Sequence, residues 1–134
     1  MPASAQQDSP AGAEAFARFW LTTLDYGYAT GDTAVFLAAG RCAGCVDLAD
    51  GIEKIYAEGG SVQGGQLKVL DTRVDRHVIG KAAAVELYYS RAQRVVVDGK
   101  GQRFVDRAAP RLGLFVVLTR ANGRWQVDRF PVID

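Results

Sequence analysis

The 134-residue chain contains one histidine, one methionine, two cysteines and four prolines, and these scarcities remove whole classes of chemistry. Zinc usually takes four ligands, and the lone His77 stands far from Cys42 and Cys45, so no metal site is expected. No apolar run reaches the roughly 18 residues that a membrane helix needs. The chain has no Gly-rich phosphate loop, no Ser-His-Asp set and no metal-ligand cluster, and no cofactor is expected. A net charge of +1 excludes a strongly basic nucleic-acid binder. The apolar fraction of 49% excludes a disordered tail and leaves an ordinary globule.

The charge that is present is unevenly placed. Residues 1–65 hold three basic and eight acidic side chains, a net of −5. Residues 66–134 hold thirteen basic and seven acidic ones, a net of +6. Acidic helices lying against a basic sheet explain the split, and so does a basic outer sheet face that meets an anionic partner.

The cysteines fall together in Cys42-Ala43-Gly44-Cys45. In an oxidising compartment this spacing closes a small disulfide at a helix start; in the cytosol it suggests a redox or metal pair. A thioredoxin-like role wants the motif after a strand in a βαβ unit, which is lacking here, so a structural disulfide is expected. Residues 1–12 (MPASAQQDSPAG) have no apolar stripe and read as a flexible linker preceding one α+β domain over residues 13–134. The segment has neither the basic start nor the apolar stretch of a signal peptide. A disulfide then implies a secreted or lipid-anchored precursor whose export signal Met1 replaces.

From Ala13 to Tyr28, Phe16, Trp20, Leu24 and Tyr28 recur every fourth residue, the wide face of an amphipathic helix. Gly31 suits a left-handed helix end and Asp32 caps a short second helix, Thr33–Ala39. A third helix is expected from about Cys42 to Glu58, burying Cys45, Leu48 or Ala49, Ile52 and Tyr56, and stopped by Gly59-Gly60. The period then changes to two. A long strand, Val62–Val78, is interrupted at Gly64-Gly65, and its alternation slips between Val69 and Leu70 as a β-bulge would make it. Strands follow at Ala82–Ser90, Gln93–Val97, Gln102–Arg107, Leu112–Arg120 and Arg124–Val132, with tight turns at Asp98-Gly99 and Asn122-Gly123. Leu114–Leu118 is apolar on both faces, as in a central strand covered on both sides. The fold class is therefore α+β, three N-terminal helices packed on a strongly curved antiparallel sheet.

A first helix ending in Thr30-Gly31-Asp32, the Val35-Phe36-Leu37 helix and the closing Gly123-Arg124-Trp125-Gln126-Val127 resemble the nuclear transport factor 2-like superfamily. Its cone-shaped domains include ketosteroid isomerases, SnoaL-like polyketide cyclases and many non-enzymatic modules. More narrowly, three stretches are similar to an uncharacterised group of actinobacterial envelope lipoproteins. These are Ala13-Glu14-Ala15-Phe16 through Asp32, Cys42-x-x-Cys45, and Ile52-x-x-Ile55-Tyr56-Ala57-x-Gly59-Gly60. That resemblance, over about residues 11–130, implies export and a lipid-anchored or secreted location, and no activity.

A cone leaves a pocket between helices and sheet, and Trp20, Leu24, Tyr56, Phe115 and Trp125 are its candidate walls. The same residues also suit a filled core. The isomerases carry a phenol eight residues before the Asp of the Gly-Asp turn; here that position is Leu24, which argues against their chemistry. Asp25 and Tyr26 beside it turn about 100° per residue away and are expected to be exposed. Glu86, on the strand face shared with Ala84 and Tyr88, and His77, near a turn, are the candidate catalytic groups, with Asp71 and Asp106 behind them. The leading reading is a non-enzymatic extracytoplasmic module that binds a protein partner or a small apolar ligand. An isomerase, dehydratase or hydrolase and a thiol-redox protein are the alternatives. A homodimer through the sheet is expected, because helices cover only one face of the Leu114–Leu118 strand.

Overall fold

The computed structural model describes residues 1–133. A turn of 3-10 helix at Ala3–Gln6 precedes α1 (Pro10–Thr30). Ser9 caps α1 by accepting from the Gly12 N–H at 3.0 Å, and Pro10 occupies the first helical position, where its missing N–H costs nothing. Gly31 ends the helix at φ 81°, its N–H bonded to the Gly27 carbonyl at 2.8 Å. The Asp32 carboxylate accepts from the Ala34 N–H at 3.0 Å and opens α2 (Ala34–Ala38). Cys42 caps α3 (Ala43–Ala57). The stripe expected on α1 is buried: Phe16, Ala17, Trp20, Leu21 and Leu24 all face the sheet.

The seven strands are β1 (Ser61–Gly64), β2 (Leu67–Val78), β3 (Ala82–Arg91), β4 (Arg94–Val97), β5 (Arg103–Asp106), β6 (Ala109–Ala121) and β7 (Arg124–Arg129). They form two antiparallel sheets, ordered β2-β3-β6-β7 and β1-β4-β5. The break falls at Gly64-Gly65, where the sequence interrupts its long strand. Backbone bonds from Gly65 to Gln93 and from Ala92 to Gln66 carry the pairing across it. Register shifts between Val69 and Asp71 and between Val74 and Arg76 bend β2 around α1, and the first lies where the alternation slips. Asn122 and Gly123, at φ 54° and 73°, make the two-residue turn between β6 and β7. The Asp98-Gly99 turn is longer than a two-residue turn. Asp98 accepts from the Lys100 and Gln102 N–H groups, and the left-handed residue is Gly101. The closing strand ends at Arg129 instead of running to Val132. Beyond it the Phe115 N–H bonds the Pro131 carbonyl and the Ile133 N–H bonds the Gly113 carbonyl, so residues 131–133 lie along β6.

One expectation is overturned. The segment expected as a flexible linker is docked on the sheet: Ala5 is fully buried and α1 begins inside that segment. Apolar periodicity could not show this, because polar side chains from far along the chain hold the segment. Trp125 Nε1 donates to the Gln7 carbonyl at 3.0 Å, and Arg120 donates to the Gln6 carbonyl. Asp8 accepts from His77 Nε2 at 2.8 Å and from the Gly80 N–H at 2.7 Å.

Candidate ligand cavity and outer face

The space enclosed by α1, α3 and the inner face of β2-β3-β6-β7 has two ends. At the Trp125 end the large side chains are buried, and a cleft of about 220 Å³ remains beneath the Met1–Ser9 strap, lined by Met1, Gln6, Phe16, Val35 and Trp125. Phe16, Phe36, Trp125, Leu118 and Val116 are each at most 2% exposed, and the strap closes over them. At the other end the packing stops short and leaves a cavity of about 190 Å³. Trp20, Leu24 and Tyr28 line it from α1, and Leu67, Tyr89 and Leu114 from the strands. Phe130 and Val132 close it where the chain runs back along β6. The Phe130 ring stacks at a tilt on Trp20 with centroids 5.1 Å apart, so the chain's final segment forms part of the wall.

Two arginines border this apolar lining. Arg94 is neutralised: its guanidinium donates to Asp106 Oδ2 at 2.7 and 2.9 Å and lies 4.9 Å over the Tyr28 ring. Arg91 is not neutralised. Its one bond goes from Nη2 to the Arg107 carbonyl at 3.2 Å, its Nε is buried without a partner, and it has no carboxylate partner among the described residues. Trp20 Nε1, also on a wall residue, is a second buried donor with no acceptor. Burial pushes the Tyr89 phenol above its usual value, so it keeps its proton at neutral pH.

Of the five expected walls, Trp20 and Leu24 meet at this cavity. Tyr56 stands outside it as a brace, donating to the Tyr28 carbonyl and accepting from the Val62 N–H at 3.3 Å. Trp125 lines the separate cleft beneath the strap. Phe115 is placed elsewhere: β6 buries Leu114, Val116 and Leu118 against the helices, which turns Phe115 and Val117 to the outer face. Among the wall residues that went unrecognised in the sequence are Tyr28, Leu67, Tyr89, Leu114 and Phe130. Tyr28 did carry a signal, as the last member of the α1 stripe.

The candidate catalytic groups do not meet. Glu86 lies on the outer face, accepting from the Tyr88 hydroxyl at 2.9 Å and facing Arg73 at 3.3 Å. The Glu86 carboxylate raises the Tyr88 phenol pKa. His77 is not the solvent-facing turn residue expected. Its side chain is 12% exposed and holds Asp8 of the strap, edge-on to Trp125. Asp71 accepts from its neighbour Thr72 N–H, and Asp106 is taken by Arg94. Asp25, expected to be exposed, is half-buried and accepts from the Leu67 N–H at 3.1 Å, whereas Tyr26 faces solvent as expected. Cys42 and Cys45 are joined, with Cα atoms 4.9 Å apart, and the Cys42 sulfur accepts from the Cys45 N–H at 3.1 Å.

The outer face carries a shallow apolar depression of about 520 Å³ over Val78, Ala82, Ala84 and Val117, edged by Arg76, Lys81 and Arg129. The basic excess of the second half of the chain therefore lies partly on this open face.

Three helices against a bent antiparallel sheet define a cystatin-like α+β domain. The chain belongs to DUF6318, described as a family of unknown function, whose model matches residues 1–131. No curated protein matches the sequence. Among solved structures, the chain is similar to the intermembrane space region of the chloroplast protein ARC6, with a TM-score of 0.64 and 12% identity over 95% of this chain and 98% of that one. It is similar to Aln2 from a Streptomyces species at a TM-score of 0.56 and 13% identity over 92% and 90% of the two chains. A protein from Nostoc punctiforme, described as having a cystatin-like fold, gives 0.56 and 12% over 94% and 93%. At these identities the likeness is one of fold.

Proposed function

We propose that this domain is a non-enzymatic extracytoplasmic module that binds a small apolar molecule at the Trp20 end of its cone. One observation carries the reading: around Trp20 apolar side chains from α1, the strands and the closing segment surround about 190 Å³, whereas the cleft of about 220 Å³ at Trp125 is edged by Gln6, Arg124 and Gln126. An engineered apolar cavity of about 150 Å³ binds benzene, so the size suits one small ring or branched chain. The residues around the space hold no Asp, Glu or His to serve as a general base, which favours binding over catalysis. The Cys42–Cys45 bond supports an oxidising compartment. Cys45 is fully buried and Cys42 caps a helix, as suits a structural bond and not a redox pair. Secretion or lipid anchoring, and kinship with actinobacterial envelope lipoproteins, belong to the same proposal.

Titration calorimetry with toluene tests it. Wild-type protein should bind, and Leu24→Phe, which fills the space, should not. A wild-type protein with no heat of binding would overturn the reading.

A second reading concerns the partner. The uncovered Ala84–Val117 stripe favours a homodimer through the outer sheet face. Sedimentation showing only a 14.4 kDa species at micromolar concentration would refute it.

A further inference from the structure

The cavity is apolar in its walls but not neutral at its edge, and that limits what it takes. Arg91 brings a guanidinium whose Nε is buried, unbonded and without a carboxylate among the described residues. The neighbouring Arg94 shows what such a group ordinarily does here, donating twice to Asp106. A buried donor without an acceptor is costly, and more so when charged. Trp20 Nε1 is also unbonded, but it is fully buried and out of a ligand's reach. An unneutralised cation at the edge of one apolar space is complementary to a single kind of molecule.

We infer that the cavity takes a small apolar monocarboxylate, its ring or branched chain against Leu24, Leu67 and Leu114 and its carboxylate on Arg91. This inference rests on the ligand-cavity reading above and names the ligand's chemistry. A carboxylate supplies the acceptors Arg91 lacks in the geometry that guanidinium groups favour. The volume limits the apolar part to about one substituted ring. A neutral hydrocarbon fills the walls but leaves the Arg91 charge unpaired. A phosphate or dicarboxylate brings more charge than one unneutralised arginine matches.

Calorimetric titration of the wild-type chain with phenylacetate, its neutral isostere phenylacetamide, and toluene decides the matter. Phenylacetate should bind about tenfold or more tightly than phenylacetamide, the usual gain of a charge-assisted hydrogen bond. In Arg91→Gln, with its fold checked by circular dichroism, that preference should vanish. Equal binding of phenylacetate and phenylacetamide to the wild type would overturn the inference and, with toluene still bound, leave the apolar cavity standing. Binding of none of the three would overturn both. A preference that survives Arg91→Gln would place the anion on another group and overturn the assignment to Arg91. The wild-type comparison alone suffices if Arg91→Gln does not fold.

Discussion

Trp125 and Trp20 are both at most 2% exposed, yet their indole N–H groups meet opposite surroundings. Trp125 donates to the Gln7 carbonyl at 3.0 Å, lies under the Arg120 guanidinium at 4.7 Å, and has the His77 ring against its edge. Trp20 has tilted aromatic neighbours in Phe36 and Phe130, open space beside it and no acceptor. One end of the core is completed by polar side chains that grip a segment from the chain's beginning. The other leaves an apolar cavity of about 190 Å³ and an indole N–H without an acceptor. Cores ordinarily fill such gaps and pair such donors. The contrast therefore separates the part of the domain that holds it together from the part free to bind.

The largest effect should come from emptying the Trp125 end. Trp125→Ala should cost about 3–5 kcal/mol in denaturant melts, the usual loss for a deleted buried aromatic. A loss near 1 kcal/mol would mean that this end is as loosely built as the other. A gentler pair of variants sharpens the contrast. Trp125→Phe deprives the Gln7 carbonyl of its donor and should cost about 1–3 kcal/mol, whereas Trp20→Phe removes a donor that has no acceptor. Trp20→Phe should be the milder by about 1 kcal/mol, and equal losses would erase the distinction.

The disulfide ranks next. Closing only a four-residue loop, it should lower stability by about 1–2 kcal/mol when reduced. Alkylation without reductant should label no thiol in protein made under oxidising conditions.

The smallest effect is the pH dependence at the strap. The His77 hydrogen bond, with help from the Gly80 N–H and Arg120, holds the Asp8 carboxyl below its ordinary 3.8. The folded state therefore binds this proton less readily than the unfolded chain. The resulting stability is complete above 3.8 and is lost as pH falls through the lower, folded value. The gap between wild type and Asp8→Asn should be widest at neutral pH and narrow as pH falls below 3.8. A gap independent of pH would show that the strap does not depend on the Asp8 charge.

Legibility in the sequence followed the same division. The α1 stripe, the Gly31 helix end, the break at Gly64-Gly65 and the slip at Val69 were all readable, because each is written in neighbouring residues. The strap was not. It is a polar segment satisfied by residues about 70 to 118 positions away, and local periodicity carries no trace of such contacts. Phe115 failed for a related reason: a strand apolar on both faces does not say which face the helices choose. The cavity was half readable. Trp20 and Leu24 belong to the helix stripe, but Arg91 is distinguished only by lacking the carboxylate that Arg94 has, and an absent partner leaves no mark in a sequence.

The strap has a consequence for the order in which the chain assembles. Its anchors are His77, Gly80, Arg120 and Trp125, so residues 1–9 have no seat until β6 and β7 are in place. Contacts of such long range close late, after the more local β2-β3 and β6-β7 pairings. The first nine residues should therefore be the last to acquire protection from hydrogen exchange and the first to lose it. They act as a clasp that fastens only on a finished domain and reports that it is finished.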